Sequence, residues 1–220
     1  MKFEPILKFL ADLSKHNNRE WFEKNKGRYL EAKDEFGVFI TGLLNEALKF
    51  DNSLSGLDPK KIAFRIYRDV RFSKDKRPYK TNMGAAFSAV GKGLGLPGYY
   101  LHIEPGNKSF VAGGLFMPEP ANLAKVRQEI DYNASQLVKI FSDKKFSHTF
   151  GKFWDEDKLK RAPKGFEETH KHIEWLKLKS FIVNHKFKDA EVKNAKFLTA
   201  VVQSFKMLKP LNTYLTEALA

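Results

Sequence analysis

The 220-residue chain carries 39 Lys and Arg against 26 Asp and Glu, a formal net charge of +13, and has no cysteine. Disulfides, thiolate metal sites and a cysteine nucleophile are therefore excluded, and no apolar run approaches the roughly 20 residues that span a bilayer. The positive balance leaves open anionic partners: phosphate-bearing ligands, nucleic acid and anionic membrane surfaces. With 42% hydrophobic residues, 20 of them Phe, the chain has the material for one core, and a single domain over 1–220 is expected in a cytoplasmic protein.

The first fifty residues read as a helical layer. In "MKFEPILKFLADLS" the charges of Glu4, Lys8 and Asp12 interrupt the apolar positions, which argues for an amphipathic helix over Pro5–Leu13 and against a secretory signal. Asn17 and Glu20 have the spacing of a capping box. After Gly27, Phe36, Ile40, Leu43, Leu44, Ala47 and Leu48 recur at three- and four-residue steps and predict a longer helix. The turn formers of Asp51–Pro59 end this layer in a loop.

Residues 60–118 change period. "IAFRIYRDVRF" alternates, with Phe64, Ile66 and Val70 opposite Arg65, Tyr67 and Arg71, and predicts a strand; "GAAFSAV" predicts a second. "GYYLHIEPGNKSFVAGGLF" predicts a hairpin turning at Pro105–Lys108, with Tyr100, His102 and Glu104 on one face. The glycines of "GKGLGLPG" match neither the Rossmann fingerprint nor the Walker A loop and read as a flexible connection.

Residues 119–220 read as helical again. One long helix is predicted from Leu123 to Phe141, a loop at "LKRAPKGF", a helical stripe over Trp175, Leu178 and Phe181, and a last helix with Phe197, Val201, Phe205 and Leu208, ending before Pro210. Strands that follow one another without intervening helices favour antiparallel pairing. The predicted class is α+β, an antiparallel sheet of about four or more strands in the central third, packed with N-terminal and C-terminal helices.

The charge is concentrated. Between Lys60 and Lys80 stand nine basic residues against Asp69 and Asp75, a local excess of seven that is more than half the total. Guanidinium groups present forked donors that match carboxylate and phosphate oxygens. Arg65, Arg68, Arg71, Lys76, Arg77, Tyr79, Lys80 and Tyr100 are the candidate ligand-binding residues, an anionic small molecule being the expected partner. His102, and behind it Glu104, are the candidate proton carriers for hydrolysis or group transfer at an anionic centre. Arg68 falls on the apolar face of the predicted strand, where it requires a bulge or a carboxylate partner. The bland alternative is a solvated, aggregation-resistant edge strand.

His170 and His172 lie two apart, which is not the spacing of a helical metal pair, so neither metal nor cofactor is assigned. Nucleic-acid binding is the second reading, drawing in Lys60, Lys61, Lys160, Arg161 and Lys164. A protein-interaction module with a basic docking patch is the third. Oligomeric state has no signature here.

The ordered segments "NNREWF", "RIYRDVRFSKDKRPYKTN", "GYYLHIEPG" with "GGLFMPEP", and "LKRAPKGF" with "LKLKSF" resemble the bacterial and fungal conserved-protein family catalogued as domain of unknown function 2461. The likeness runs over nearly the whole chain. It implies one domain and no particular activity.

Overall fold

The computed structural model describes residues 3–91 and 95–220. Four antiparallel strands, β1 (Met83–Ser88), β2 (Gly98–Ile103), β3 (Ser109–Leu115) and β4 (Phe181–Phe187), form one sheet in the order β1-β2-β3-β4. The predicted hairpin turn joins β2 to β3, with Gly106 and Asn107 both at positive φ.

Helices cover one face of this sheet. The first is α1 (Phe3–Lys15), followed by α2 (Arg19–Lys24), α3 (Lys26–Leu48) and the single turn α4 (Pro59–Ile62). After the hairpin come α5 (Pro120–Asn133), α6 (Ser135–Ser142), α7 (Lys144–Phe150) and α8 (Ile173–Leu176); α9 (Asp189–Val192) and α10 (Phe197–Glu217) follow β4. The α10 helix lies under the sheet, where Phe205 stacks on Tyr99 at 4.6 Å and meets Phe87 edge-on at 5.4 Å. Phe3, Phe39 and Phe197 join α1, α3 and α10 at ring separations of 4.8–5.4 Å. Alternation decides which strand residues enter this core: Ala85, Phe87, Tyr99, Leu101, Ile103, Val111, Leu115, Phe181 and Val183 are buried against the helices. The other face carries Gly84, Ala86, Tyr100, His102, Phe110 and Ala112.

The α+β class and the antiparallel sheet match the expectation, and several elements differ from it. Residues 62–72 do not form a strand; the segment's strand-type pairing among the described residues is two isolated bridges, Ala63↔Ala85 and Tyr67↔Tyr79. The reason is local competition for backbone donors. The Asp69 carboxylate accepts from the Arg71 amide and the Asp75 carboxylate from the Arg77 amide, folding the chain into turns where a ladder would need it straight. The fourth strand comes instead from "FIVNHKF", so Phe181 belongs to β4, and only one helical turn precedes it.

The predicted helix from Leu123 to Phe141 divides at Ala134, beside a hydrogen bond from the Ser135 hydroxyl to the Asn133 side chain. The final helix runs through Pro210, held by the buried Leu208, Leu211 and Leu215 on either side. Pro59 opens α4, and Asn52–Leu54 forms a short 3-10 turn inside the expected loop. Asn18, not Asn17, caps α2 by accepting from the Trp21 amide. Lys92, Gly93 and Leu94 of "GKGLGLPG" lie outside the described residues.

Candidate functional site

The open face of the sheet is shaped by side-chain size. Ala86, Tyr100 and Ala112 stand side by side across β1, β2 and β3, and Ser88, Gly98 and Gly114 form the next row. Apart from Tyr100 these are small, so the sheet surface there is a depression. Phe64, Phe110, Phe116 and Leu96 rise around it, with Lys80, Asn82 and Tyr100 among the lining polar groups, enclosing a cavity of about 480 Å³. That volume lies within the range of about 300–1,000 Å³ usual for small-molecule sites. Lys80 reaches the rim from the segment before β1, its Nζ 5.2 Å from the centre of the Phe64 ring. Phe64 in turn meets Tyr100 edge-on at 6.1 Å.

Beneath Tyr100 a chain of polar contacts runs along one face of β2 to Glu104, just past the strand's end. The Tyr100 hydroxyl lies 3.2 Å from His102 Nδ1, and His102 Nε2 lies 2.8 Å from Glu104 Oε2. An ionised carboxylate only accepts, so Nε2 carries the proton, Nδ1 is the acceptor, and the Tyr100 hydroxyl donates to it. The Thr81 hydroxyl donates to Glu104 Oε1 at 3.3 Å, and the Ser109 hydroxyl holds the Glu104 backbone. His102 stacks on Phe110 at 4.6 Å and 17°.

Burial governs the titration of this chain. It lowers the His102 pKa below the ordinary imidazole value, outweighing the opposing hydrogen bond and charge of Glu104. Burial, with a smaller contribution from the Glu104 charge, pushes Tyr100 up to about 12. At neutral pH both are uncharged.

The remaining expected site residues lie elsewhere. Arg71 is paired to Asp69 at 2.6 Å; Arg77 and Arg68 both pair to Asp75, at 2.7 and 2.8 Å. The side-chain and backbone hydrogen bonds of Arg77, and then the contact with Arg68, hold the Asp75 carboxyl well below the usual carboxylate range. Arg68 thus has the carboxylate partner its position demanded, and its guanidinium also donates to the Arg77 carbonyl. Lys76 donates to the Val70 carbonyl. Arg65 lines an adjoining hollow between α3 and residues 59–67, which shares Phe64 and Asn82 with the cavity. Tyr79 is buried face to face with Phe22 at 4.0 Å, its backbone clamped by both ends of the Asn17 amide.

The structure therefore brings together Lys80, Tyr100, His102 and Glu104 and separates them from Arg65, Arg68, Arg71, Lys76, Arg77 and Tyr79. The cavity-forming Phe64, Ala86, Phe110, Ala112, Gly114 and Phe116 were missed from sequence. Their signal was present as Gly and Ala at alternate positions of "GAAFS", "GYYLH" and "VAGG", which marks a sheet face with room above it. Among the described residues no cluster of His, Asp and Glu has the arrangement of a metal site, and no helix is long and apolar enough to cross a membrane.

The fold and cavity are those of a small α+β protein with one face of its sheet left open to a ligand-sized space. A family profile matches residues 5–214, and the chain belongs to that family, described as a conserved hypothetical protein (DUF2461). No curated protein and no solved structure matches the chain.

Proposed function

We propose that the protein binds a small anionic ligand with an apolar, planar body in the cavity on the open face of the sheet. One observation carries this reading: Lys80 and Tyr100, from different segments, line the same predominantly apolar and aromatic space. Phosphate or carboxylate oxygens are placed toward the Lys80 ammonium, and the body lies over Ala86 and Ala112 between Phe64, Phe110 and Phe116. The ion-paired guanidiniums of Arg68, Arg71 and Arg77 have no part in holding it. They shape the segment that delivers Phe64 and Lys80 to the rim.

The test uses two fluorescent probes that share a body and differ in charge: 8-anilinonaphthalene-1-sulfonate and neutral N-phenyl-1-naphthylamine. Both are expected to bind the folded protein. Lys80→Met weakens the sulfonate about tenfold, the scale of one charge-assisted contact, and leaves the neutral probe unchanged. Ala112→Leu fills the floor and weakens both. Equal binding of both probes to wild type, Lys80→Met and Ala112→Leu overturns the assignment. Displacement of the sulfonate by an oligonucleotide, with a steep salt dependence, moves the balance to a nucleic-acid partner on the outer lysines.

A further inference from the structure

We infer that the cavity is a proton-transfer site in which Tyr100 is the catalytic acid–base residue and His102 and Glu104 are its positioning residues. The inference rests on the reading of the cavity as a ligand site and assigns it a class of chemistry: removal of a proton from a carbon acid whose negative charge develops toward Lys80.

The geometry is built for this. Tyr100 and His102 occupy alternate positions of β2 and Glu104 follows one residue past its end, where the Ser109 hydroxyl holds its backbone, so the alternation carries all three side chains to the same face. Their contacts, 3.2 and 2.8 Å, link the cavity wall to a carboxylate held by Thr81. Phe110 fixes the imidazole plane. The Tyr100 hydroxyl lies over Gly84, where an added Cβ would stand 2.5 Å from it; a glycine on β1 is what lets the phenol reach His102. Of the three, Tyr100 lines the cavity, while His102 and Glu104 stand behind it.

The step balances with the groups present. Tyr100 Oη takes the substrate proton as its own phenolic proton passes to His102 Nδ1. The electron pair of the broken C–H bond moves to the acceptor group of the substrate, whose anion faces the Lys80 ammonium. The products are the substrate anion and an imidazolium paired with the Glu104 carboxylate. Return of the proton to solvent or to another atom of the substrate restores the resting state.

The chain is competent while His102 is neutral. Burial lowers its pKa, so it is uncharged at neutral pH and the rate is lost as pH falls through that lowered value. Around the imidazole stand Tyr100 on β2 and Glu104 just past its end, Lys108 at 4.0 Å from Glu104, Lys80 at the cavity rim, and Lys186 across Phe110 on β4. The adjoining β1 position, Gly84, is uncharged.

The probe is 5-nitrobenzisoxazole, a planar carbon acid. Loss of its C3 proton makes a nitrile and breaks the ring N–O bond, releasing a coloured nitrophenolate. Wild type is expected to accelerate this reaction above buffer, with kcat/KM flat near neutrality and falling in acid. Tyr100→Phe keeps the ring and loses the hydroxyl, and costs on the order of 10²-fold or more, the usual share of general acid–base catalysis. Glu104→Gln lowers kcat and moves the acid limb to lower pH, because the imidazolium loses its counter-charge; a merely structural role leaves the limb in place. Binding of 8-anilinonaphthalene-1-sulfonate is measured on every variant. Retained probe binding with no acceleration by wild type, or with full activity in Tyr100→Phe, overturns the relay alone. Loss of probe binding by wild type overturns the ligand site beneath it.

Discussion

At the residue scale, the open face of the sheet shows how the absence of a side chain shapes a site. Gly84 is buried on β1 and its missing Cβ is the space occupied by the Tyr100 hydroxyl. Gly84→Ala puts a methyl group against the far end of a side chain that can swing away, so the fold survives. The intrinsic preference of a strand for Ala over Gly offsets part of the contact, and stability is expected to change by no more than about 1 kcal/mol. The hydroxyl, in contrast, is driven off His102 Nδ1. In ¹⁵N spectra of the variant, the His102 ring nitrogens are expected to lose the pattern of a fixed tautomer, and the proton-transfer rate to fall with them. An unchanged tautomer in Gly84→Ala places the hydroxyl elsewhere. The triad itself was legible in sequence, because period-two alternation alone puts Tyr100, His102 and Glu104 on one face. The pairing of Arg71 and Arg77 was not, because it depends on turns made by Asp69 and Asp75, and a turn within a charged run leaves no periodic trace.

At the element scale, the decisive feature is how β4 joins the sheet. It arrives from 66 residues beyond β3 and pairs with its whole length, Ser109↔Phe187 to Leu115↔Phe181. Gly114 makes the close approach feasible: its φ is +121°, and a Cβ there would sit 1.9 Å from the Phe181 carbonyl oxygen, a backbone atom with nowhere to go. Gly114→Ala is therefore expected to cost about 3 kcal/mol or more, the sum of backbone strain and a displaced strand, read as a fall in the denaturant midpoint. A loss below about 1 kcal/mol means that β4 is not seated as described. "VAGG" gave no hint of this from sequence, since a strand glycine's partner is non-local. The same limit explains why Phe181 read as helical: its spacing from Trp175 and Leu178 fits three- to four-residue steps, and only pairing with β3 decides otherwise. Local signals served better where periodicity or turn composition sufficed, as in α1, α3 and the Pro105–Lys108 turn.

At the scale of the whole molecule, one buried carboxylate ties the helical layer to the sheet and to the last helix. Asp51, 2% exposed, follows α3; it accepts from the Tyr99 hydroxyl of β2 at 2.6 Å and from Lys209 of α10 at 2.8 Å. Burial alone raises its pKa, yet the hydrogen bonds from Lys209, Ser53 and Tyr99, with the Lys209 charge, outweigh this and hold it below the ordinary carboxylate value. A depressed folded-state pKa contributes stability that is present above the unfolded-state value and is lost as pH falls through the folded one. Lys209→Met removes the counter-charge and keeps the length of the side chain, leaving an uncompensated carboxylate inside. The expected cost near pH 7 is about 3 kcal/mol. In the variant the carboxyl takes up a proton far more readily, so its penalty disappears on acidification while wild type is losing its own pairing. The stability gap between the two proteins is thus expected to be widest near neutrality and to narrow as pH is lowered into and below the ordinary carboxylate range, measured by urea unfolding at each pH. A gap of constant size across that range would mean that Lys209 contributes packing alone and that the three layers are joined by their apolar faces without this charge.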